Sequence, residues 1–301
     1  MKIRTLVIAA GLSVVLAAVA ILVVVGVVQP VSPIPADASK PLLSAPSPAG
    51  TTAGTAPTAT TKTWVTSSSP LGNRLSELSL DSKKVLRSLP LENAGRATTL
   101  AQSGPRLAAG FSGPDHGGLL SFWDAKSGTH QGSVVVAGSV LDLNGSTDGH
   151  TFDALVEEGN QQAALSFDAL SPTPTRTVKL PSSTIGMVLT SDRGQIYALR
   201  VGGRLSYVSA PSGRISGSIL VNPSAFRLGL SNDGLQFYVL SHAGKRHDRV
   251  DVVSVTTGRI TSSLFTSPST TWILPTIDNA RLVTFVGTPT SGRVEEFRLT
   301  S

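Results

Sequence analysis

A unit of two short apolar strands joined by a tight turn recurs along this chain every 41 to 45 residues, and no other feature restricts the fold as strongly. The clearest copy is residues 249–265, RVDVVSVTTGRITSSLF. Val250, Val252, Val253 and Val255 form a β-branched run of the kind selected by a sheet buried on one or both faces. Thr257 and Gly258 turn the chain, because glycine takes the positive φ that a tight hairpin demands, and residues 259–265 return as the partner strand. The same phase begins at Arg204 (RLSYVSAPSGRISGSIL), Leu119 (LLSFWDAKSGTHQGSVVV), Ala163 (AALSFDALSPTPTRTVKL), Arg74 (RLSELSLDSKKVLRSLPL) and, truncated, Arg293 (RVEEFRLTS). Aligned positions Ser79, Asp124, Asp168, Ser209, Ser254 and Arg298 lie 45, 44, 41, 45 and 44 residues apart.

Between these units lies a second hairpin with a polar turn, at Ser191-Asp192-Arg193-Gly194, Ser231-Asn232-Asp233-Gly234 and Thr147-Asp148-Gly149, each followed by an apolar strand. Four short strands per period describe one propeller blade, since a single four-stranded sheet cannot cover both its faces and needs neighbours in a ring. From residue 63 onward the inventory is 22 strands, which suits six blades with a three-stranded one at each end; five or seven remain open. Closing the ring requires a strand that removes the exposed edge, and part of 51–61 could supply it.

The form "strand, T-G turn, strand, then S-x-D-G" resembles the YVTN or YncE-like group of bacterial β-propellers, a WD-repeat-like class, over residues 63–301. The resemblance implies an all-β propeller. It implies little about activity, because such propellers include interaction platforms, ligand binders and a few hydrolases. Lys83 stands where the turn glycine belongs, Pro172 interrupts the third unit, and only Trp123-Asp124 echoes the Trp-Asp pair of true WD repeats.

The rest of the chain divides by composition. Residues 1–4 carry Lys2 and Arg4, and 5–28 hold no charge. As a helix those 24 residues reach about 36 Å, enough to cross a hydrocarbon core of roughly 30 Å. A signal-anchor is favoured over a cleaved signal: the apolar run exceeds the usual signal core, and the best small-x-small site, Ala36-Asp37-Ala38, lies well beyond it. The basic start puts the N-terminus in the cytoplasm and the propeller outside; secretion after cleavage is the alternative. Residues 29–62, rich in Pro, Ser, Thr and Ala, read as a disordered linker. The chain has no cysteine, which excludes disulfides, thiolate catalysis and Cys-ligated zinc. Removing Lys2 and Arg4 from the formal +6 leaves +4, dispersed rather than striped, which argues against nucleic acid.

With strands lettered a to d outward, the b–c and d–a connections share one face. Polar outliers gather there: Asp115 and His116, Glu157 and Glu158, and the longest charged hairpin, HAGKRHD, with His242, Lys245, Arg246, His247 and Asp248. These nine residues form the expected binding rim. Asp148 and His150 fall on the opposite face, where turn geometry explains the Asp-Gly pair. Neither HExxH nor a DxDxDG loop is present, nor a Gly-x-Ser-x-Gly elbow, so no catalytic residue, cofactor or metal is expected. Trp123, Trp272, Phe152, Phe237 and Phe285 are expected between blades. The reading is a non-enzymatic, membrane-anchored, extracytoplasmic propeller that binds a protein or envelope component. The alternative is a lactonase-like, metal-dependent propeller hydrolase.

Overall fold

The computed structural model describes residues 24–27, 62–69, 72–79, 85–91, 96–112, 117–146, 149–168, 171, 173–190, 192–275, 281–288 and 291–299. Every regular element among them is a strand. Strand β1 is Val24–Val27. Sheet I contains β2 (Lys62–Ser69), β3 (Gly72–Ser79) and β4 (Val85–Leu91). Sheet II contains β5 (Arg96–Ser103), β6 (Arg106–Ser112), β7 (Gly118–Asp124) and β8 (His130–Val136). Sheet III runs from β9 (Ser139–Gly145) through β10 (Thr151–Glu158) and β11 (Gln161–Asp168) to β12 (Pro174–Leu180). Sheet IV has β13 (Thr184–Leu189), β14 (Gln195–Arg200), β15 (Arg204–Ser209) and β16 (Ile215–Leu220). Sheet V has β17 (Ala225–Leu230), β18 (Gln236–His242), β19 (Asp248–Ser254) and β20 (Ile260–Thr266). Sheet VI joins β21 (Thr270–Pro275), β22 (Arg281–Thr288) and β23 (Ser291–Arg298), with β1 on its outer edge.

Each sheet is an antiparallel meander, and the innermost strands β5, β9, β13, β17 and β21 lie side by side in turn. This is a β-propeller. Among the described residues there are five complete four-stranded blades, where six with a three-stranded one at each end were expected, and the remaining sheet, sheet I, has three strands. The fourth strand of sheet VI comes from Val24–Val27, which pairs in parallel with β23 from Val24 opposite Glu295 to Val27 opposite Arg298. Those four residues were expected inside a membrane-crossing helix; β-branched valines serve a strand equally well, and the outer edge of β23 offers unpaired backbone groups. No helix among the described residues is long and apolar enough to cross a membrane. Residues 1–23 and 28, and the expected linker and closing segment up to 61, lie outside the described residues.

The repeat rests on one turn used several times. In sheets II, IV and V the last residue of the third strand accepts from a glycine four residues on: Gly128 N–H to Asp124 O (2.8 Å), Gly213 N–H to Ser209 O (2.7 Å), Gly258 N–H to Ser254 O (2.8 Å). All three glycines have positive φ, 77°, 67° and 65°, a region that L side chains adopt only under strain. The polar a–b turns are tied just as regularly. Asp192 Oδ1 accepts from Thr190 Oγ1 and Gly194 N, and Asp233 Oδ1 from Ser231 Oγ and Leu235 N. These bonds place the a–b and c–d turns on one face, and the b–c hairpins and d–a connections on the other.

The core lies between sheets. Phe122, Phe152 and Phe167 fill the space between II and III, with ring centroids 5.7 Å (Phe122–Phe152) and 6.3 Å (Phe122–Phe167) apart. Tyr197, Tyr207 and Phe237 do the same between IV and V. Trp64, Leu75, Leu107, Phe111 and Trp123 join sheets I and II, and Trp272 of sheet VI packs against that cluster, so the last blade meets the first. Burying each such ring contributes roughly 1.5–3 kcal/mol; between III and IV aliphatic side chains, Leu155, Met187 and Ile196 among them, fill the space instead. Trp123, Phe152 and Phe237 thus sit between blades as expected.

Candidate functional site

The HAGKRHD hairpin is built by the ladder of sheet V. His242 and Asp248 are the last residue pair between β18 and β19, and Gly244, at φ 115°, lets the five intervening residues turn. Asp248 does not belong to an exposed rim: it is 2% exposed. Its Oδ1 lies 2.9 Å from His242 Nδ1, and its Oδ2 accepts the Thr270 N–H (2.9 Å), the first residue of the next blade's inner strand. A carboxylate so placed fixes the hairpin to sheet VI. The His242 ring also stacks on Phe226, with centroids 4.2 Å apart and planes 21° apart, yet its side chain stays 63% exposed. Nδ1 on one side and a ring below hold the imidazole in one orientation.

With its only acid turned inward, the hairpin shows solvent a cationic surface: Lys245 and Arg246 are exposed, and His247 is half-buried against Phe265, ring centroids 4.7 Å apart. The same face carries the opposite sign two blades away. Glu158 is exposed at the tip of the β10–β11 hairpin, and Glu157 beside it accepts from Gln162 Nε2 (2.6 Å). The structure therefore brings His242, Lys245, Arg246 and His247 together and sets Glu157 and Glu158 apart from them on the same face. Asp115 and His116 lie outside the described residues.

Sequence reasoning missed a set of residues at one depth in the inner strands. A β-bulge follows the first residues of β5, β9, β13, β17 and β21, and the residue after each bulge is Thr99, Asp142, Gly186, Arg227 and Trp272. Asp142 is 4% exposed, accepts the Met187 N–H (3.0 Å) from the next blade, and meets Arg227 Nη1 (3.3 Å) from the blade after that, across Gly186. Burial pushes the Asp142 carboxyl above its ordinary range despite the arginine beside it. The spacing of these five positions repeats the period of the outer strands, so extending the alignment inward would have revealed them.

The remaining buried charges serve the scaffold. Arg249 grips Asp251 through two bonds of 2.7 Å while Ser263 Oγ donates to the same carboxylate. On the face of the a–b turns, Asp153 accepts from Ser166 Oγ and from Arg193 Nη2 of the next blade, and burial again pushes its carboxyl up. Glu295 takes the Ser267 N–H (3.0 Å) and hydroxyl, so two buried acids, Asp248 and Glu295, hold the connection between sheets V and VI. Among the described residues no three His, Asp or Glu side chains converge on a point that could hold a metal ion.

The fold defines this chain as a β-propeller with a charged hairpin face. No family model and no curated protein matches its sequence. Solved structures match in shape alone. A protein of unknown function from Bacteroides caccae superposes with a TM-score of 0.57 at 10% identity, covering 79% of this chain and 99% of that one. Hydrazine synthase from Kuenenia stuttgartiensis gives 0.50 at 14% identity, over 65% of this chain and 57% of that one. The β-propeller domain of Cps50 (Swd1) from Myceliophteria thermophila gives 0.49 at 18% identity, over 74% and 78%.

Proposed function

We propose that this protein is a non-enzymatic binding platform, of the YVTN-like kind, that engages another protein through the face bearing its b–c hairpins. The observation that carries the reading is the His242–Asp248–Thr270 arrangement. A buried carboxylate spends both oxygens on holding one hairpin rigid, and the cations of that hairpin are left in solvent. A surface fixed before binding loses little conformational entropy when a partner arrives. The charge layout supports a protein rather than a uniform polyanion, because Glu158 and the Lys245–Arg246 pair share one face. In this reading the uncharged run ahead of Val24, residues 5–23, tethers the propeller outside a bacterial cell membrane, with residues 1–4 in the cytoplasm. Protease added to intact spheroplasts would digest the propeller if it lies outside, and protection until lysis would reject that address. Cross-linking from the hairpin face, compared between the native chain and one with 245–248 replaced by Gly-Ser, tests the platform: the same cross-linked species in both would reject it.

A further inference from the structure

Two neighbouring features of sheet V complement one kind of ligand. The first is the cationic tip, Lys245 and Arg246, freed of its acid by the burial of Asp248. The second is Phe265 on the outer strand β20, 51% exposed although it is a large aromatic residue. It is fixed by the His247 ring at 4.7 Å and by its ladder pairing with Arg249. Cation and exposed ring stand side by side on one hairpin and its adjoining strand, joined by His247, while His242 points to the other face of the sheet.

We propose that this corner of the propeller docks an acidic peptide segment of a partner protein that carries an aromatic or large aliphatic side chain among its carboxylates. The carboxylates meet Lys245 and Arg246, and the apolar side chain covers Phe265. Charge complementarity selects the peptide's sign. An exposed aromatic next to cations selects the apolar member, since such a ring gains most from being covered. The face excludes an anionic lipid surface as the occupant. A plane laid across the hairpins would bring its negative charge onto Glu158 and Glu157 of sheet III as well as onto Lys245 and Arg246, whereas a short segment touches sheet V alone.

This assignment rests on the platform reading and is tested on the full chain with fluorescent acetyl-Glu-Glu-Phe-Glu-Glu amide, followed by anisotropy. Its glutamine and lysine counterparts and phosphatidylglycerol vesicles are the comparison probes. The acidic peptide should bind, the other two peptides at least tenfold more weakly, and added salt should weaken the acidic complex. K245E/R246E should lose binding at least tenfold, and F265S should weaken it several-fold without changing salt sensitivity. K245Q/R246Q, which removes charge without adding any, should fall between native and reversed chains, and circular dichroism confirms that each variant keeps its strands. Equal binding of acidic and lysine peptides, binding untouched by K245E/R246E in a folded chain, or binding to vesicles with none to the peptide would overturn the assignment. A partner that cross-links to the face and survives K245E/R246E but is lost on E157K/E158K would overturn it too, while leaving the platform standing.

Discussion

Tyr207 offers the sharpest test of the packing between sheets IV and V. It lies in the aromatic cluster with Tyr197, at 5.3 Å and nearly perpendicular, and its hydroxyl is buried with no hydrogen-bond partner among the described residues. An orphaned buried hydroxyl costs about 1–3 kcal/mol. Tyr207→Phe keeps the ring and its edge-on contact, so it should stabilise the fold by about 1 kcal/mol or more at neutral pH, or roughly 2–4 °C in Tm for a domain of this size. The same burial pushes the Tyr207 phenol from 10.0 up to about 12, and Tyr238 likewise to about 12, while Tyr197 is also raised. A folded-state pKa above the unfolded one contributes stability below pH 10 that is lost as pH rises toward 12. Two units correspond to roughly 2–3 kcal/mol for each phenol. Heating scans at pH 7, and an alkaline titration followed at 295 nm for tyrosinate and by circular dichroism for strands, read both effects. All three tyrosines should ionise together with the loss of the sheets, and Tyr207→Phe should move that transition to higher pH. A lower Tm for Tyr207→Phe, or tyrosinate appearing near pH 10 with the strands intact, would refute the reasoning.

Asp248→Ala should cost about 2–4 kcal/mol in urea unfolding, because it strands the buried Thr270 N–H and frees His242, with Asp248→Asn costing less. Gly138→Ala should destabilise by about 3 kcal/mol or more, since a Cβ there would sit 2.0 Å from the Glu157 carbonyl oxygen at φ 88°, whereas Gly244→Ala meets open space and should cost about 1 kcal/mol. The raised carboxyls of Asp142 and Asp153 bind protons more readily in the folded chain than in the unfolded one, so their contribution to stability falls as pH rises from 3.8 through the folded-state values. Asp142→Asn should flatten that slope in Tm against pH, and an unchanged slope would show that Asp142 titrates as in the unfolded chain.

The repeat made the outer architecture legible because each c–d turn needs a glycine at one position and a β-branched strand on either side. Where those residues stood, the strands fell where expected: residues 204–208 pair with 215–220, and residues 249–254 with 259–265 within a residue of the expected ends. The Val24–Val27 strand was hidden because a valine-rich run satisfies a helix in lipid and a strand at a sheet edge alike. Asp248 was misread for a finer reason. Starting the strand at Arg249 left the acid in the loop, whereas the ladder takes in one more pair, and that single step turns its side chain toward Thr270 rather than solvent. Asp142 and Arg227 drew no notice in the sequence, since the bond between them spans two blades and no local pattern encodes it.

The pairing of Val24 with Glu295 joins positions separated by about 270 residues. On a ribosome the partner edge does not exist until nearly the whole domain has been made, so that contact forms last and carries the greatest loop-closure cost in the molecule. Assembly therefore ends with a long-range search, and the period before it, with one flank of sheet VI unguarded, is when the newborn chain is most open to pairing with the wrong neighbour.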